Sequence, residues 1–223
     1  MTRDQVFARI KEIGIIPAIR PSDSKEAIHA VAAICRGGIP VVEISMAMPS
    51  ALNAIEEVLR NHGAEVLVGA GTAIDAESVR LACLSGAQFI VSSGFNADTV
   101  RVAHEFDVPI FAGALTPTEV QLAWASDADA VKLYPCYAVG GPRYLKSLRG
   151  QYPTADFIAS GGVNLENCSE YLRAGACAIG VGGEIGDAGS MAAGDHRLFT
   201  ERAKRFRKAV CEAKALWRNG RSH

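Results

Sequence analysis

The chain is poor in the features that mark membrane, nucleic-acid-binding and disulfide-stapled proteins. Hydrophobic residues make up 49% of its 223 positions, yet no apolar run approaches the ~20 residues that cross a bilayer. Its 23 basic and 24 acidic residues leave a formal charge of −1, so there is no general electrostatic pull toward nucleic acid. The six cysteines (Cys35, Cys83, Cys136, Cys168, Cys177, Cys211) form no C-x-x-C pair. At this length they read as reduced thiols of a cytoplasmic protein, mostly core filler. The five histidines (His29, His62, His104, His196, His223) avoid the ends of the apolar runs. They read as surface or hydrogen-bonded groups, because a metal centre needs His and carboxylates that converge. Low-complexity segments and linkers are absent, so residues 1–223 are expected to form one domain.

What is present is a repeat of strand followed by helix. Apolar runs occur at Ile15–Arg20, Val41–Met46, Val66–Thr72, Phe89–Gly94, Pro109–Thr116, Ala130–Pro135, Asp156–Gly162 and Ala178–Gly183. Ser24, Asp75 and Thr116-Pro117 read as helix starts. Glycines after Arg36, Ser85 and Ala174 read as helix ends. Met1 to Ile16 mixes charged and apolar residues at helical spacing, predicts an N-terminal helix and lacks the pattern of a signal peptide. The stretch His196–Arg221 reads as a solvated closing helix, with Phe199, Phe206, Val210 and Trp217 on its buried side. The count of eight predicts a (β/α)8 barrel, a TIM barrel. A doubly wound sheet fits the same alternation less well, given the even spacing.

In such a barrel the chemistry sits at the carboxyl ends of the strands. Lys132 stands in the run Ala130-Val131-Lys132-Leu133-Tyr134-Pro135. Alternation puts Val131 and Leu133 on one face and Lys132 and Tyr134 on the other, pointing Lys132 into the barrel. The same logic turns Val42 and Ile44 outward and Glu43 inward. An unpaired buried ammonium is costly, so a lysine here is paired, functional or both. Burial disfavours its charged form, and a lysine brought from ~10.4 toward ~7–8 becomes a usable nucleophile. Lys132 as Schiff-base former, Glu43 as proton carrier and Arg20 as carboxylate anchor would suit chemistry on a 2-oxo acid. A structural Lys132–Glu43 ion pair remains the alternative. Ser160-Gly161-Gly162 and Gly180-Val181-Gly182-Gly183 end runs seven and eight, where barrels frequently hold phosphate.

At these positions the chain resembles the 2-keto-3-deoxy-6-phosphogluconate and 4-hydroxy-2-oxoglutarate aldolase family, which includes the 6-phosphogalactonate enzymes. The resemblance is carried by Ile19-Arg20, Val42-Glu43-Ile44, Gly69-Ala70-Gly71-Thr72, Leu115-Thr116-Pro117-Thr118-Glu119, Val131-Lys132-Leu133-Tyr134-Pro135 and Ser160-Gly161-Gly162-Val163. It implies a class I aldolase needing neither metal nor cofactor, with Lys132 forming the Schiff base and Glu43 as general acid/base. It places Arg20, Thr72 and Tyr134 around a small 2-keto acid substrate. Ser160, Gly161, Gly162, Gly182 and Gly183 would form the distal pocket. It also implies a cytoplasmic homotrimer, with cleavage of the phosphogluconate-derived acid to pyruvate and glyceraldehyde 3-phosphate as the leading expectation.

Several positions depart from that family's pattern. Ser93 stands where many members have proline, and Tyr134 where phenylalanine is common. Gly183 replaces a common serine and is followed by Glu184. Acids of related length or without phosphate therefore stay open. A metal-dependent sugar-phosphate epimerase and a catalytically dead barrel are the other readings. The first would want strand-end metal ligands, and the second would tolerate the loss of Lys132 or Glu43.

Overall fold

The expected alternation closes on itself. A computed structural model describes residues 1–187, 189–190 and 196–219, and in it eight parallel strands pair in chain order, with β8 returning to β1. They are β1 Ile15–Ile19, β2 Val41–Ser45, β3 Leu67–Gly71, β4 Phe89–Val91, β5 Ile110–Ala114, β6 Ala130–Leu133, β7 Phe157–Ser160 and β8 Ala176–Val181. The chain is thus a TIM barrel with an N-terminal helix, Arg3–Ile13.

Each strand stops one to three residues short of the run read from sequence. Thr72 (φ 60°), Gly161 (φ 88°) and Gly162 (φ 72°) leave extended conformation at those points, which ends the ladder. Arg20, Thr72, Tyr134, Gly161, Gly162 and Gly182 therefore lie just beyond the strands, and Gly183 opens the short helix Gly183–Gly186 that follows β8.

The helix starts follow short polar side chains. Asp75 with Ser78, and Thr116 with Glu119, form reciprocal capping boxes, the latter with Pro117 in the first turn. One start differs from expectation. Asp23, not Ser24, caps the helix Ser24–Arg36, because Asp23 is extended (φ −148°) and its carboxylate accepts the Glu26 N–H. The C-terminal helix His196–Asn219 buries Phe199, Phe206 and Val210 as expected; the Trp217 side chain and His223 lie outside the described residues.

The barrel interior is sealed from below by aromatics. Phe7 from the N-terminal helix stacks on Phe111 of β5 at 5.4 Å between centroids, and Phe111 stands 5.8 Å from Phe89 of β4. All three are buried, and offset rings at this distance add to the area they bury. Gly69 makes room for them, since a Cβ there would strike the Phe89 ring. With the floor filled by Phe7, Phe89 and Phe111, the polar interior begins above it.

The minor residues divide less simply than the sequence suggests. Only Cys136 and Cys168 are fully buried, Cys211 is exposed, and all six thiols are free. His104 Nε2–H donates to the Asp129 carboxylate at 3.1 Å. His62 and His196, however, each keep a buried ring nitrogen with no hydrogen-bond partner among the described residues. They are neither surface groups nor satisfied ones, because helix packing covers nitrogens that no neighbouring polar atom reaches.

Candidate active site

Strand register decides which side chains meet above the aromatic floor. Glu43 of β2 pairs with Ala18 of β1 and Gly69 of β3. Lys132 of β6 pairs with Gly113 of β5 and Ile158 of β7. Paired residues share a face, so the two charged side chains stand among small or apolar neighbours on the inner wall. Val42, Ile44, Val131 and Leu133 are fully buried on the other face.

The result is a nearly dry ion pair. Lys132 Nζ lies 3.7 Å from Glu43 Oε1, and the residues are 7% and 5% exposed. The ammonium also stands 5.3 Å from the Tyr134 ring centroid, close enough for a cation–π contribution. Two glycines make the space. A Cβ at Gly71 would overlap the Glu43 carboxylate, and one at Gly113 would collide with the Ser93–Gly94 backbone. Ser92 Oγ accepts the Gly113 N–H at 3.1 Å and donates to Gly94 O at 2.8 Å, which holds that turn close.

A cavity of about 400 Å³ opens over this pair, within the ~300–1,000 Å³ usual for small-molecule sites. All ten residues expected at the site line it: Lys132, Glu43, Arg20, Thr72, Tyr134, Ser160, Gly161, Gly162, Gly182 and Gly183. Ser45 Oγ and Thr72 Oγ1 are 3.2 Å apart, which fixes the threonine hydroxyl at the rim of β3. Arg20 is exposed and makes no ion pair among the described residues. Its charge is therefore uncommitted. Glu184 also lines the cavity.

Sequence reasoning passed over Ala18 and Asn164, which also line the cavity together with Val163 and Gly180 of the two glycine-rich motifs. Alternation back from Arg20 would have found Ala18, and the turn residues after Gly162 signal Asn164. Among the described residues no group of three or more His, Cys, Asp or Glu side chains converges, and no helix is long and apolar enough to cross a membrane. A second cavity of about 250 Å³ lies at the opposite strand ends beside Lys11 and Asp156, which pair with each other at 3.1 Å. Barrel chemistry belongs to the first end.

The comparisons with known proteins agree with this placement. The family described as "Aldolase: KDPG and KHG aldolase" matches residues 6–201. A 2-dehydro-3-deoxy-phosphogluconate aldolase of Treponema pallidum is 33% identical over 198 residues, covering 87% of this chain and 92% of the relative. A native KDPGal structure superposes with a TM-score of 0.84 at 30% identity, over 90% of this chain and 96% of the other. The KDPG aldolase of Legionella pneumophila, with pyruvate captured as a covalent carbinolamine, superposes with a TM-score of 0.81 at 27% identity, over 86% and 92%. A barrel whose inner wall carries one lysine facing one glutamate, matched over most of its length by these enzymes, belongs to the KDPG and KHG aldolase family.

Proposed function

We propose that the chain is a class I aldolase that cleaves 2-keto-3-deoxy-6-phosphogluconate to pyruvate and glyceraldehyde 3-phosphate. The observation that carries this is the buried Lys132–Glu43 pair, 3.7 Å apart at the base of the cavity. Lys132 passes a proton to Glu43, and the neutral amine attacks the C2 ketone. A proton then moves from nitrogen to oxygen to give a carbinolamine, the species captured with pyruvate in the Legionella relative. Glu43 delivers the proton with which the C2 hydroxyl leaves as water, giving an iminium. Glu43 then takes the proton of the C4 hydroxyl as the C3–C4 bond breaks. That electron pair moves into the iminium, leaving an enamine on Lys132 and releasing the aldehyde. Protonation at C3 and hydrolysis return free Lys132 and pyruvate. The iminium is the electron sink, so no step requires a metal ion.

Arg20 and the Thr72 hydroxyl hold the carboxylate of the 2-keto acid, and Tyr134 walls the opposite side. Ser160, Gly161, Gly162, Gly182 and Gly183 receive the phosphate. In support of this, the Gly161, Gly162 and Gly183 N–H groups have no acceptor among the described residues. Glu184 favours a second reading, the same cleavage on an acid without phosphate, because a carboxylate lining the distal wall repels a dianion.

The enzyme works as one domain over residues 1–223, in the cytoplasm, as a homotrimer. Ile74, Leu84 and Leu122 expose 68%, 68% and 49% of their surface, apolar area of the kind an assembly covers. Light scattering on the purified protein checks the trimer. The aldolase chemistry is tested by borohydride reduction with pyruvate followed by peptide mass mapping. A reduced pyruvyl adduct on the Lys132 peptide is the expected result, and its absence from folded protein removes the mechanism.

A further inference from the structure

The loop after β7 is braced from behind by two side chains that do not line the cavity. Asn167 Nδ2 donates to Gly162 O at 2.8 Å. Cys136 Sγ donates to Gly161 O at 3.1 Å. The Asn167 amide cannot be reversed without loss. Its Oδ1 accepts the Asn164 N–H at 2.9 Å, and a backbone N–H has no way to accept in turn, so Nδ2 is the atom that faces the Gly162 carbonyl. Cys136 is fully buried, and burial pushes its thiol up despite the Tyr171 hydroxyl beside it. It therefore stays S–H and keeps its role as donor.

These two contacts control the other side of two peptide planes. In a trans peptide the C=O and the following N–H point in opposite directions. Holding Gly161 O against Cys136 turns the Gly162 N–H away from Cys136. Holding Gly162 O against Asn167 does the same for the Val163 N–H. Gly162 and Val163 both line the cavity, and neither N–H has an acceptor among the described residues. The turn needs left-handed φ angles at Gly161 and Gly162 (88° and 72°), and a side chain there would also strike Pro135 or Tyr137.

We propose that Asn167 and Cys136 are positioning residues for substrate recognition. By fixing the Gly161 and Gly162 carbonyls outward, they aim the Gly162 and Val163 N–H groups at the anionic distal group of the substrate. The inference rests on the aldolase reading for the identity of that substrate, a phosphorylated 2-keto-3-deoxy acid.

Asn167→Asp removes the donor, because aspartate still accepts from Asn164 but cannot donate to Gly162 O. The Cys136 variants make the same test without adding a charge. Steady-state rates are compared for 2-keto-3-deoxy-6-phosphogluconate and its unphosphorylated counterpart. The expected result is a KM about tenfold higher for the phosphorylated acid, equivalent to ~1.4 kcal/mol, with kcat and the use of the unphosphorylated acid little affected. Cys136→Ala should shift KM in the same selective way by a smaller factor, and Cys136→Ser, which restores a donor, should bring it back. The cysteine pair also carries the test if Asn167→Asp does not fold. Equal loss on both acids, or no loss on either, overturns the proposal. Should wild-type protein form no borohydride-trapped pyruvate adduct, the aldolase reading fails separately. Calorimetry with inorganic phosphate then decides the positioning role: weaker binding by Asn167→Asp supports it, and equal or absent binding overturns it.

Discussion

Lys132 and Glu43 face each other across the barrel from β6 and β2, 3.7 Å apart and almost without solvent. An ion pair in that position contributes little net stability, because desolvating two charges offsets most of their attraction. An apolar pair of similar volume would fold as well. What the charged pair offers instead is a nucleophile and a proton carrier already in register.

Lys132→Ala is therefore expected to abolish both turnover and the pyruvate adduct. Glu43→Gln should still form the adduct, with turnover lower by ~10²–10⁴-fold, the usual contribution of a positioned acid or base. Borohydride trapping and steady-state kinetics on the two variants separate the roles. Normal turnover in Lys132→Ala would end the Schiff-base account.

Gly71 sits beside Ser45 in the β2–β3 register, and its missing Cβ is where the Glu43 carboxylate lies. Gly71→Ala is expected to push that carboxylate aside, since a side-chain end moves more easily than a strand. Displacing a reacting group by ~1 Å can cost ~10²-fold. The predicted outcome is a drop of that order in kcat/KM with a melting temperature close to wild type. Unchanged kinetics would mean that Glu43 need not occupy this place.

Much of the site was legible in the sequence for a physical reason. A strand buried on both faces must account for every charged residue in it, so Lys132 and Glu43 stood out from single positions. Gly-rich strand ends marked the loops after β7 and β8 in the same way. Ala18 carried no such signal, because a small apolar residue in an apolar strand looks alike whether it faces the helices or the cavity. Asn167 and Cys136 were illegible as site residues, since their importance lies in which backbone carbonyls they meet. The Asp23 cap was misread because Asp23 and Ser24 are both good capping residues and only backbone conformation distinguishes them.

The Gly183 position has room for the serine that the family resemblance leads one to expect there. A Cβ there would meet nothing nearer than Asp187 Cβ at 4.0 Å. One added hydroxyl bond contributes ~1 kcal/mol. Gly183→Ser should thus lower KM for the phosphorylated acid by roughly fivefold and leave the unphosphorylated acid alone. If KM does not move, the backbone amides already hold the distal group without help.

The turn that leads from β5 into the helix Pro117–Ala125 should make stability fall in acid. Glu119 Oε2 accepts from the Leu115 N–H at 2.8 Å, the Thr116 N–H at 2.7 Å and the Thr116 hydroxyl at 2.9 Å. The Thr116 N–H, then the Leu115 N–H, hold its carboxyl below the ordinary value of 4.5. A carboxyl depressed in the folded state stabilises fully above its unfolded pKa, and loses that contribution as pH falls through the folded value. Urea unfolding from pH 7 downward is expected to show Glu119→Gln less stable than wild type near neutrality. The gap should begin to narrow once pH drops below about 4.5 and close as pH falls through the lowered folded value. Thr116→Ala, which removes the reciprocal cap, should cost about 1 kcal/mol at neutral pH. A Glu119→Gln deficit that stays constant down to pH 3 would show that shape, not charge, is what the turn requires from Glu119.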